Sequence, residues 1–249
     1  MDAPTPTVLP GPQRFMMLSI LGLGFLMGMR HACEADHAAA VASLATRSGS
    51  IAQTVKQGMV WGLGHTLTLL IFSSLVLLLG SIIPERFAAG LELMVGLMLI
   101  GLGLDVFRRL LKNRIHFHVH QHPDRPPHFH AHAHTEPTHP DNTSHDHVHG
   151  FPYRALLIGL MHGMAGSAAL ILLTLNATLS MSQAIMYILL FGLGSILGMG
   201  LLSVIMAIPF WYSARSLTWL HNGLQAGVAV MTTILGMAMA FSSGSVLWH

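Results

Sequence analysis

Charge is what this chain has least of. Only 9% of its 249 residues are Asp, Glu, Lys or Arg, where a soluble globular domain carries about 25%. With 52% hydrophobic residues and a mean hydropathy of +0.59, this deficit excludes an ordinary soluble enzyme and points into a bilayer. A single cysteine, Cys33, excludes an intrachain disulfide and leaves the redox compartment unread. There is no Gly-x4-Gly-Lys-Ser/Thr run to cradle a nucleotide and no His-Glu-x2-His to build a metalloprotease. The start, "MDAPTPTVLPGPQRF", has no basic region before its apolar run, so 1–14 reads as a disordered tail without a cleavable signal. The formal charge of +2 comes from loop residues and gives no footing for a nucleic-acid partner.

Apolar runs, by contrast, are plentiful. A helix needs about 20 mainly apolar residues to cross a bilayer. Six stretches qualify: 15–44, 57–80, 87–107, 153–176, 183–210 and 219–242. The predicted fold is an all-α integral membrane protein of six transmembrane helices, with the lipid bilayer as its surroundings. One long polar segment, 112–152, divides residues 15–111 from 153–249. Six spans put the loops alternately on two sides. One side holds Arg14 and Arg86; the other holds Arg47, Lys56, Arg108, Arg109, Lys112, Arg114, Arg125, Arg154 and Arg215. Cytoplasmic loops carry the excess of Lys and Arg, so both termini are expected outside and 112–152 in the cytoplasm.

The two halves resemble one another. "WGLGHTL" at 61–67 matches "FGLGSIL" at 191–197, an offset of 130, pairing Trp61 with Phe191 and His65 with Ser195. "MRHACEADHAAA" resembles "LMHGMAGSAAL" at an offset of 131, pairing His31 with His162. More loosely, 90–104 resembles 223–237. Three helices per half is an odd number, which inverts the second half relative to the first. Inverted repeats of this kind are common in secondary transporters, with the site near the midplane.

The stretch "GMRHACEADHAAAV", 28–41, crowds ionisable residues beside the first apolar run. Such groups in a bilayer face the bundle interior and mark an ion or substrate path. His31, Asp36 and His37 offer two imidazoles and a carboxylate, a set that suits late first-row divalent metals. On a straight helix Asp36 lies about 140° and His37 about 240° from His31. The three therefore converge only if the helix breaks near 28–31; otherwise only some of them bind. His65 and His162 are further candidates, with a helix–helix hydrogen bond as the plainer alternative for His162. His162 follows the shorter apolar stretch and is expected to be a gate contact, shallower than His31. Cys33 shares a helical face with His37 and is a candidate soft ligand, against the plainer reading of a small packing residue. Glu34 is expected to neutralise Arg30, four residues away.

His31, Asp36 and His37 in "RHACEADHAAAVASL" resemble the His-x4-Asp-His signature of the nickel/cobalt transporter family, which includes urease-accessory-like nickel permeases. "GLGHTLTLL" at 62–70, "GLMHGMAGSAAL" at 159–170 and "FGLGSILGM" at 191–199 resemble that family as well. The resemblance implies high-affinity uptake of Ni(II) or Co(II), with His31, Asp36 and His37 essential. Better-known members read Arg-His-Ala-Phe-Asp-Ala-Asp-His, where this chain has Cys33 and Glu34, and they have about two more spans.

Residues 116–149 hold twelve of the eighteen histidines: His116, His118, His120, His122, His128, His130, His132, His134, His139, His145, His147 and His149. A His-rich tract reads as metal binding. Its prolines and few core-forming residues predict disorder, so it is expected to be a weak, unselective reservoir. The functional expectation is a transporter without enzymatic activity or resident cofactor, in the inner membrane. It takes up Ni(II) or Co(II), and a metallochaperone at the cytoplasmic face is a possible partner. The alternatives are efflux on the same fold and transport of another divalent metal such as zinc. Exporters of these metals carry Pro-Gly where this chain has Ala35 and Asp36. Zinc transporters carry His-x3-Asp or His-Asn-x2-Asp motifs within their membrane spans, and the six apolar stretches here hold neither.

Overall fold

The computed structural model describes residues 11–79, 84–112, 116–122, 125–132, 151–164 and 180–248. Seven helices appear among them: α1 (Gly11–His31), α2 (Ala35–Ala45), α3 (Ile51–Leu79), α4 (Glu85–Lys112), α5 (Tyr153–Met164), α6 (Met181–Ser216) and α7 (Thr218–Trp248). Four contain segments long and apolar enough to cross a membrane: Ile51–Val76, Glu85–Lys112, Met181–Ala214 and Thr218–Trp248. Their outer faces fit that setting. Leu63, Leu67, Ile71 and Leu75, spaced by four along α3, are each about half exposed, as are Leu189, Leu193, Leu197 and Leu201 on α6. Continuous apolar stripes of this kind are rare on soluble proteins. Here they form a face for lipid.

The other two expected spans differ. The fourth, 153–176, is described only as far as Met164. The first, 15–44, is not one helix. After His31 the chain tightens: the N–H groups of Cys33 and Glu34 bond to the carbonyls of Arg30 and His31, three residues back, at 2.9 and 3.0 Å. Glu34 is then extended, with φ −64° and ψ 153°, and the chain restarts as α2. The ionisable run thus coincides with a break. Asp36 falls in the first turn of α2, where a negative charge complements the helix dipole.

Packing between the halves is reciprocal. α1 lies against α6, and α5 lies against α3; α3 and α6 pack together, as do α4 and α7. The close approaches repeat in kind. A Cβ at Gly28 would collide with the Phe191 carbonyl oxygen, and one at Gly159 with that of Trp61. Likewise Gly194 seats the Phe25 carbonyl and Gly64 that of Leu156. Each contact becomes its counterpart when residues are shifted by 130 or 131 positions. Between α4 and α7, Gly103 meets Ala229 and Thr233, while Gly236 meets Gly96 and Ile100. These are counterparts at a shift of 133, the offset of the looser match. Small residues at such crossings let helix backbones approach closely, which drives association where no hydrophobic effect operates.

One end of the bundle carries the basic loops. Asp105 on α4 pairs with Arg47 after α2, with Arg109 at 3.2 Å and with Arg154 on α5 at 3.9 Å. Residues 45–50 and Phe210, Trp211, Ala214 and His221 line one pocket at this end. Three loops expected on one side of the membrane are therefore neighbours.

The segment expected to be disordered contains regular structure. β1 (His116–His122) and β2 (Arg125–His132) form an antiparallel hairpin. Its register sets His116 against His132, His118 against His130 and His120 against His128. The His-x-His alternation has the period of two that a strand requires. His134, His139, His145, His147 and His149 lie outside the described residues.

Candidate metal centre

The break between α1 and α2 turns three residues of one short motif toward a common centre. His31 ends α1, and Asp36 and His37 begin α2. α3 brings His65 and Trp61, and α5 brings His162. His31, His37, His65 and His162 are all buried, His37 and His65 almost completely. The ring of His37 lies 4.5 Å from that of His31, 5.0 Å from His65 and 4.2 Å from His162. Aromatic walls close the group: Phe191 is 5.4 Å from His31, and Trp61 is 5.4 Å from His162. These two contacts are again counterparts under the offset between the halves.

Two carboxylates organise the imidazoles. Asp36 accepts from His37 Nδ1 through one oxygen and from His162 Nε2 through the other, each at 2.9 Å. The first oxygen also accepts the backbone N–H of His37 at 2.9 Å. Glu34 meets His31 Nδ1 at 3.1 Å, so its partner is His31 and not Arg30, as the helical spacing suggested. A straight helix would place 30 and 34 together; the break removes that geometry. Buried nitrogens are left over. Among the described residues, His31 Nε2, His37 Nε2, both nitrogens of His65 and His162 Nδ1 have no hydrogen-bond partner, nor does Trp61 Nε1. Among the described residues, two sets of three could each hold a metal ion, His31/His37/His65 and Asp36/His37/His162, with one ligand atom per residue within 4.8 Å of the others.

Five sequence candidates, His31, Asp36, His37, His65 and His162, thus meet in one place. Cys33 does not. It is exposed, its Sγ lies 3.6 Å from the Met29 carbonyl oxygen, and it belongs to neither set. The face it would share with His37 exists only on an unbroken helix. His162 is buried and touches Asp36 directly, deeper in the group than a peripheral gate contact would be. Glu34 as the partner of His31, and Trp61 and Phe191 as walls, were missed by the reading of sequence. The signal was available for the two aromatics, since they head the two matching repeat segments.

Four helices of membrane length, packed with shorter ones around buried imidazoles and the partly buried Asp36, define a multi-pass membrane protein with a polar, ligand-competent interior. The chain is 36% identical over 229 residues to the urease accessory protein UreH of Bacillus sp. (strain TB-90), covering 92% of this chain and 93% of that one. It belongs to the family of that urease accessory protein. No protein-family model matches the chain. No solved structure matches it either.

Proposed function

We propose that this protein is a secondary transporter that brings Ni(II) or Co(II) across the cytoplasmic membrane. Its cargo binds at the centre formed by His31, Asp36, His37, His65 and His162. The observation that carries the reading is the convergence of five potential ligands, four of them buried imidazoles, packed against helices long enough to cross a membrane, one of which carries His65. Buried groups of this kind, with unpartnered nitrogens, are costly unless they serve a ligand. Imidazole-rich sites suit late first-row divalent metals. The relative is named for service to urease, in keeping with the resemblance to nickel permeases of that kind. The carboxylate of Asp36 stands where exporters of these metals carry glycine, which favours import.

In this reading six spans form two inverted repeats, and the reciprocal glycine contacts at offsets of 130, 131 and 133 support that arrangement. The clustering of Arg47, Arg109 and Arg154 at one end supports a single cytoplasmic face, with both termini on the other side. The histidine hairpin would then hold metal on the cytoplasmic side, for transfer to a metallochaperone. Radiolabelled Ni(II), Co(II) and Zn(II) accumulation in cells expressing the chain tests the reading. Nickel or cobalt is expected to accumulate, and His37→Ala to abolish accumulation while the protein still inserts. Normal accumulation by His37→Ala refutes the site; metal depletion from preloaded cells refutes the direction.

A further inference from the structure

We propose that the transported ion is held by the imidazole nitrogens of His31, His37 and His65, with Asp36 and Glu34 behind them as positioning residues and not as ligands. The inference rests on the transport reading above and specifies which atoms perform it.

The argument is an accounting of lone pairs. An ionised carboxylate only accepts hydrogen bonds, so an imidazole facing one presents its N–H there and carries its lone pair on the other nitrogen. Glu34 faces His31 Nδ1 at 3.1 Å, which fixes the lone pair of His31 on Nε2. Asp36 faces His37 Nδ1 at 2.9 Å, which fixes that of His37 on Nε2. Those two nitrogens, with both nitrogens of His65, are buried and have no partner among the described residues. One nitrogen from each ring lies within 4.8 Å of the others, close enough for a single ion to draw them together.

In the competing set, Asp36, His37 and His162, the carboxylate is already satisfied, while His37 Nε2 and His162 Nδ1 have no partner among the described residues. Each oxygen of Asp36 accepts from an imidazole at 2.9 Å. An ion bound to Asp36 competes with these hydrogen bonds for the lone pairs of a carboxylate oxygen. An ion taken by the lone-pair nitrogens of His31, His37 and His65 would leave both in place and give those three nitrogens a partner. Metal-binding histidines commonly donate their second nitrogen to a carboxylate, which sets tautomer and ring orientation. Here the break between α1 and α2 supplies two such carboxylates within six residues, one for each histidine of the motif. His162 then acts on Asp36 and not on the ion. The arrangement also suits a cargo that must be released. Neutral rings bind it directly, and the compensating negative charge stays one ring away.

The test uses the full-length chain in detergent with the twelve loop histidines replaced by Asn, loaded with Co(II). Imidazoles around the metal are counted by X-ray absorption, and affinity is read by visible titration. Three imidazoles are expected. His65→Ala should leave two, and His31→Ala should do the same if the first variant fails to fold. Asp36→Asn and Glu34→Gln should keep three while binding about 10- to 100-fold more weakly, the usual range for lost outer partners. His162→Ala should also keep three. Two imidazoles and a carboxylate in the parent, with one imidazole lost in His162→Ala, overturns the assignment while leaving the transport site standing. No Co(II) bound by the parent overturns the transport site itself, and this inference with it.

Discussion

The first half of the molecule, α1 to α4, and the second, α5 to α7, are packed alike and loaded differently. Gly28 admits the Phe191 carbonyl as Gly159 admits that of Trp61, and His31 meets Phe191 as His162 meets Trp61. Yet the first half carries Asp36, His37 and His65. Their sequence counterparts in the second half are Ser167, Ala168 and Ser195. Ser195 is buried like His65, but its hydroxyl donates to the Gly28 carbonyl at 3.2 Å and so pins a helix crossing. At the position where one half offers an imidazole without a partner, the other spends its polar group on the scaffold. The scaffold needs both halves equally. The chemistry is concentrated in one half, with His162 as the other's contribution.

The comparison breaks first at the crossings, where the halves should be equivalent. Gly28→Leu and Gly159→Leu each drive a side chain into a backbone carbonyl that cannot retreat without moving a helix. Overpacking commonly costs about 1–3 kcal/mol and sometimes more, and both variants are expected at or above the top of that range. Recovery of monodisperse protein from detergent, and its melting temperature, should fall equally for the two. A large loss in one and none in the other would mean that the halves do not share a packing scheme.

The next effect separates the halves by chemistry. His31→Ala should nearly abolish metal accumulation, while His162→Ala should weaken it less with the fold retained. His31 belongs to the three-histidine set, whereas the proposed role of His162 is to hold Asp36. Uptake by the two variants at matched expression checks this; equal loss would make His162 a full participant.

A smaller effect is expected where the halves are tied by charge. Asp105→Asn removes the shared anion of Arg47, Arg109 and Arg154 and leaves three guanidinium groups together. These side chains are partly exposed, and such pairs contribute up to about 1 kcal/mol. A modest drop in melting temperature that shrinks in high salt is expected, with metal affinity unchanged.

The smallest effect on selectivity should come from what lies between the halves. Deleting 116–149 should leave the preferred metal unchanged and lower the amount retained per protein. A changed preference on competitive loading would move selection out of the membrane centre and into the histidine hairpin.

The sequence by itself determined the class. Scarce charge and membrane-length apolar runs required a helical membrane protein, and potential ligands beside an apolar run required an interior purpose. Offsets of 130 and 131 paired His31 with His162 and Trp61 with Phe191 before any contact was known. It also posed the central difficulty, because rotation by about 100° per residue scatters His31, Asp36 and His37 around a straight helix. Only the tertiary structure resolved it. The break at 32–34 reorients α2 so that Asp36 and His37 face the side reached by His31. The same break sends Cys33 outward and gives Glu34 to His31, which helical periodicity could not foresee. The meeting of His65 and His162 with that turn was likewise undecided by sequence. It depends on helix crossings set by where glycine lets two backbones touch, and a crossing is a property of two segments distant in the chain.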